Sequence, residues 1–126
     1  MKYNDIKTIL KDILVSQEQN FEDKYIDYDK LVLGSSKDLQ IYNTRPITLY
    51  NCYTFKPWTF KYMENSKKYK SNIFRIEAID EDYATFRILQ YSNITNNYLN
   101  TNKFFIINLN SIGAIECLPD TFLNLY

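Results

Sequence analysis

Apolar residues recur at helical spacing in the first segment of the chain. Ile6, Ile9, Leu10, Ile13 and Leu14 fall at i, i+3, i+4, i+7 and i+8, and Phe21 extends the stripe. Lys7, Lys11, Asp12 and Glu18 occupy the other faces. The spacing predicts a helix over about residues 5–22, with Asn4 as its N-cap and Asp5 at the positive end of the dipole. Such a stripe has to be covered by the body of the domain or by another subunit.

Beyond it the period changes. Leu31 to Leu33, stopped by Gly34-Ser35-Ser36, and Leu39 to Tyr42 read as short strands between turns. From Pro46 the alternation is strict: Ile47, Leu49, Asn51, Tyr53 and Phe55 share one face, and Thr48, Tyr50, Cys52 and Thr54 share the other, up to Pro57. Trp58 to Tyr62 predicts another strand, and Asn65 to Lys70 a solvated loop with a local positive run. The clearest element is a hairpin: Ile73 to Ile79 alternates, Asp80-Glu81-Asp82 turns, and Tyr83 to Leu89 returns. Arg75, Glu77, Thr85 and Arg87 then lie on its outer face, with Glu–Arg pairs across the strands. A polar loop from Ser92 to Asn102 leads to strands at Lys103 to Leu109 and Ile112 to Leu118.

Six to eight short strands and one helix predict a mainly β fold. The expected form is a single-domain antiparallel β-sandwich, or a jelly roll or barrel, with an N-terminal α-helix. One domain spans residues 1–126, its β-rich body running over about 31–118.

Composition narrows the chemistry. Lys plus Arg number 15, Asp plus Glu number 15, and there is no His. A neutral chain has no general pull toward nucleic acid or acidic lipid, so neither is expected as a partner. Without His there is no Ser-His-Asp triad and no imidazole shuttle, and the two glycines, Gly34 and Gly113, cannot build a phosphate-binding loop. No enzyme, cofactor or metal site is expected. Asp80-Glu81-Asp82 reads as a solvated turn, because a hard-cation site needs six or more converging oxygens. No apolar run is long enough for a membrane helix, and the charged start predicts no signal peptide and synthesis in a cytoplasm.

Aromatic residues are in excess, with 12 Tyr, 8 Phe and one Trp. Such side chains favour strands and interfaces. The candidate interface aromatics are Trp58, Tyr50, Tyr53 and Tyr83. A carbohydrate-binding module is the alternative use of the same residues, with Trp58 and several Tyr lining one groove and Asn side chains supplying hydrogen bonds. Cys52 and Cys117 read first as small hydrophobes on strands, then as an intersubunit disulfide, and last as an internal 52–117 bridge.

Several stretches in register resemble one family. Ile9 to Glu18 looks like the helix of the bacterial spore coat and exosporium proteins CotY, CotZ and ExsY. Asn72-Ile73-Phe74-Arg75-Ile76-Glu77 with Asp82 to Leu89 is similar to their central hairpin. Phe105 to Asn110 with Gly113-Ala114-Ile115-Glu116-Cys117-Leu118 resembles their ending, and Pro46 to Tyr50 corresponds to the strand between helix and hairpin. The resemblance implies a non-enzymatic structural protein that self-assembles into a ring, sheet or filament in the outer layers of the endospore. Its partners would be copies of itself and other coat or exosporium proteins. It implies synthesis in the mother-cell cytoplasm and deposition on the spore surface. A phage or virion structural protein is the other assembling alternative. Tyr83 and Gly113 stand where the family pattern has Cys, and Cys117 alone coincides with a family cysteine. Assembly would then rest on packing and hydrogen bonds, with Cys52 or Cys117 left for pairing between subunits.

Overall fold

The apolar stripe forms helix α1, Tyr3–Ile26. In the computed structural model, residues 3–26 and 42–125 are described, and within α1 the side chains of residues 5–18. Ile6, Leu10 and Ile13 are buried, as their spacing requires. Asp5 lies in the first turn, where the macrodipole favours a carboxylate. Asn4 is also inside that turn, because the helix begins one residue earlier, so it is not the N-cap. The Phe21 side chain and the strands expected at 31–33 and 39–41 lie outside what the structure describes, and Tyr42 belongs to no strand.

Among the described residues seven strands follow. β1 (Ile47–Asn51) is shorter than its alternation suggests. Asn51 Oδ1 accepts the N–H groups of Tyr53 at 2.7 Å and Thr54 at 3.2 Å, and the Phe55 N–H closes back onto the Asn51 carbonyl at 2.9 Å. A side chain that bonds its own downstream backbone competes with the ladder, and here it ends the strand. Cys52, Tyr53, Thr54 and Phe55 therefore sit in a turn and loop rather than on strand faces.

β2 (Phe60–Glu64) and β3 (Lys67–Ser71) form a two-stranded sheet. The loop expected over 65–70 is only Asn65 and Ser66, at φ 52° and 65°. Two left-handed residues match the twist that a tight hairpin needs. β4 (Ile73–Asp80) and β5 (Tyr83–Ser92) form the expected hairpin around Glu81 and Asp82. β6 (Asn97–Asn108) begins six residues before the expected strand, because Asn97, Tyr98, Leu99 and Asn100 pair with Ser92, Tyr91, Gln90 and Leu89. A single 3-10 turn at Leu109–Ser111 leads to β7 (Ile112–Cys117).

The main sheet has the order β6-β5-β4-β1-β7, and every neighbouring pair is antiparallel. Phe74 lies opposite Ile88, Ile76 opposite Phe86, Phe86 opposite Phe105, and Ala84 opposite Ile107, so one face is continuously apolar. Helix α1 and the β2–β3 sheet cover that face. Phe60 stacks on Phe105 with ring centroids 3.7 Å apart and meets Phe74 edge-on at 5.7 Å. The fold is thus mainly β, a sandwich of a five-stranded antiparallel layer against a helix and a two-stranded sheet.

Candidate functional site

The charged side chains of the central hairpin lie on the opposite face of the main sheet, as their alternation predicts. Arg75 Nη1 donates to Glu77 Oε2 at 2.6 Å, and Arg87 Nε donates to the same oxygen at 3.0 Å. This face is not open to water, however. Residues 42–45 and 119–125 cross it, joined by the Thr44–Thr121 bridge and by Leu123 N–H to Asn43 Oδ1. Arg75 and Arg87 are each only 8% exposed. Every strong donor there has a partner: Arg75 reaches Thr44 Oγ1 and the Asn43 carbonyl, and Arg87 reaches Asn100 and Asn102. Two guanidiniums sharing one carboxylate, fully hydrogen-bonded and covered, form a structural network with no free acid or base to act on a substrate.

Gln17 is a second buried polar group, one that the hydrophobic pattern alone does not mark as functional. Spacings of four, three and four from Ile6 through Leu10 and Ile13 place it on the buried stripe. Its amide acts as a spare peptide unit. Nε2 donates to the Ile76 carbonyl at 3.0 Å, and Oε1 accepts the Arg45 N–H at 3.1 Å. Since Ile47 pairs with Phe74, Arg45 and Ile76 would be the next ladder partners, and the glutamine bridges the gap where β1 and β4 part.

The cysteines are both free. Cys117 lies opposite Ile47, whereas Cys52 follows the far end of β1, about 16 Å along the ladder. An internal 52–117 bridge is therefore excluded, because disulfide geometry needs Cα atoms within about 7 Å. Cys117 is exposed on edge strand β7, and Cys52 is half-buried with its thiol on the Asn110 carbonyl. Gly113 packs so close to Cys52 that an added Cβ would stand 2.7 Å from its Cα.

The candidate aromatics separate into different environments. Trp58 is half-buried, stacks on Phe60, and keeps a buried indole N–H with no partner among the described residues, so it offers no open platform. Tyr50 donates its hydroxyl to Glu116 at 2.8 Å, and that bond raises its pKa above the ordinary value. Tyr83 and Tyr53 are exposed. Phe55, which the alternation would have placed with Tyr53 on a strand, joins it on the loop after β1; the two are 83% and 78% exposed for Tyr53 and Phe55. Phe55 has φ 58°, a left-handed conformation that costs a bulky residue free energy and that the Asn51 turn imposes.

A cleft of about 440 Å³ separates the β2–β3 sheet from β5, β6 and the C-terminal segment. The stacked pair Tyr62 and Tyr69 lines it, together with Glu64, Gln90, Leu99 and Asn100. Burial pushes the Tyr62 hydroxyl pKa up. Trp58, Tyr50, Tyr53 and Tyr83 are absent from this lining, so the single groove expected of a carbohydrate module does not gather them.

Among the described residues, no group of three or more Cys, Asp or Glu side chains converges in a way that could hold a metal ion, and no helix is long and apolar enough to cross a membrane. No family model, no curated protein and no solved structure matches the chain.

Proposed function

We propose that the chain is a structural subunit that associates with copies of itself, of the kind its resemblance to spore coat and exosporium proteins implies. On this reading it is made in the mother-cell cytoplasm and deposited with other proteins of the spore's outer layers. The observation that carries the assembling role is the pair Tyr53 and Phe55, held in water on a loop whose backbone is fixed by Asn51. An aromatic presented at the cost of a left-handed backbone contributes nothing to the subunit's own core. Pre-organised aromatic side chains are the usual anchors of protein interfaces. Among the described residues, the outer edges of β6 and β7 have no further neighbour in the sheet, a natural place for another chain to pair. Electron microscopy of the purified protein, with and without reductant, tests this reading. Rings, sheets or fibres that survive reduction are expected, since on this reading packing rather than a disulfide is the main contact. A strictly monomeric species at high concentration would refute it.

A carbohydrate-binding role has one observation in its favour, the cleft in which the Tyr62–Tyr69 pair lies beside Glu64, Gln90 and Asn100. Aromatic faces and amides are the groups that hold a pyranose ring. Saturable binding of an oligosaccharide by the monomer, lost in Tyr69→Ala, would favour this second reading over the first.

A further inference from the structure

The chain has no net charge, yet among the described residues one sheet face gathers lysines. On the outer face of the β2–β3 sheet, Lys61 lies directly opposite Lys70, and Met63 lies opposite Lys68. All four are exposed. Like charges in register across two strands weaken a pair that is already marginal as an isolated hairpin. Among the described residues, no carboxylate stands within 4 Å of these ammonium groups to relieve the repulsion. Among the described residues, then, nothing on this surface offsets that repulsion.

Its complement sits elsewhere on the same molecule. Asp80 and Glu81 are exposed at the β4–β5 turn. The lysine sheet lies toward the other end of β5, where Ser71 donates to the Leu89 carbonyl and Tyr62 and Tyr69 face Gln90. The seven steps from Tyr83 to Gln90 put the two surfaces about 23 Å apart along that strand. Strands are too stiff across this span for the two to meet within one subunit, and among the described residues each is open to another molecule.

We infer that the β2–β3 lysine face receives the acidic β4–β5 turn of a second copy of this chain. The contact joins two different surfaces and is therefore heterologous. It repeats from copy to copy and yields a ring or an open filament, whichever the rotation per copy dictates. Met63, flanked by the three lysines, supplies the apolar floor beneath the incoming turn, and the shallow groove it shares with Lys61, Lys68 and Lys70 has a volume of about 530 Å³. This inference rests on the self-assembling role proposed above and specifies one contact for it.

Two charge reversals test it, both at exposed positions. The first variant combines Lys61→Glu, Lys68→Glu and Lys70→Glu, and the second combines Asp80→Lys with Glu81→Lys. Each is examined alone and in an equimolar mixture by sedimentation velocity, alongside the unaltered chain. Each variant alone should associate about a hundredfold more weakly, because like charges now face each other across the contact. The mixture should assemble, because each variant's altered surface is complementary to the other's. Recovery in the mixture also shows that both variants fold. Added salt should weaken association of the unaltered chain. Unchanged assembly of either variant alone, or no recovery on mixing, would overturn this contact while leaving self-assembly standing. An unaltered chain that stays monomeric throughout would overturn both.

Discussion

The two faces of the main sheet are both covered, but by opposite means. On one, Phe74, Phe86, Phe105 and Phe60 pack ring on ring under α1 and the β2–β3 sheet. On the other, Arg75 is held by Asn43 and Thr44, Arg87 by Asn100, Asn102 and the Phe104 ring, and Glu77 bridges the two. The apolar face is stabilised in proportion to the area it removes from water. The polar face gains little net energy from its ion pairs, because desolvation offsets most of the attraction. What it gains is definition: a guanidinium with several fixed acceptors accepts one arrangement of the crossing segments and rejects others.

Substitutions can break this contrast. The largest effect is expected from Phe74→Ala, which removes a fully buried ring at the centre of the aromatic cluster. It should cost about 4 kcal/mol in chemical denaturation. Glu77→Ala strands two buried guanidiniums and should cost about 3 kcal/mol. Replacing the trio together by Arg75→Met, Glu77→Leu and Arg87→Met should recover most of that loss; a triple variant as unstable as Glu77→Ala would mean the network itself supplies the stability. Gln17→Leu leaves the Ile76 carbonyl and the Arg45 N–H without partners and should cost about 2 kcal/mol.

The smallest effect concerns pH. Tyr50 is raised by its hydrogen bond to Glu116, and Tyr62 and Tyr98 are raised by burial. For a group whose folded pKa exceeds its unfolded value, stability is complete below the unfolded value and is lost as pH rises through the folded one. The protein should therefore hold its stability up to pH about 10 and lose it above, with part of its phenolate absorbance appearing late. Tyr50→Phe should shift a fraction of that late titration and leave neutral-pH stability nearly unchanged. A loss of stability beginning near neutrality would contradict this account.

The parts of this fold that the sequence made legible are those where one physical requirement dominates. Helix α1 and the 73–89 hairpin must bury continuous stripes, and their periods say so. Lys67 to Ser71 and Asn97 to Asn102 are strands as well, but they are rich in lysine and asparagine, which strands disfavour, and their pairing partners rather than their propensities hold them extended. A period of two was present in Lys68-Tyr69-Lys70-Ser71, with Tyr69 and Ser71 turned inward, and its lysines disguised it. The early end of β1 depends on one asparagine side chain, and alternation cannot register that. The cover over Arg75 comes from segments near positions 44 and 121, a pairing too distant in the chain for local pattern to reveal. Exposure of Tyr53 and Phe55 follows from the same asparagine turn, so the candidate surface was named in part and for the wrong backbone.

The assembling role is tested most directly by the sedimentation coefficient of the unaltered chain across a wide concentration range, in reductant, beside that of Tyr53→Ala/Phe55→Ala. The account predicts a rising coefficient for the unaltered chain and a value near that of a single subunit for the variant, with both folded to the same degree by circular dichroism. A constant single-subunit value for the unaltered chain would contradict it.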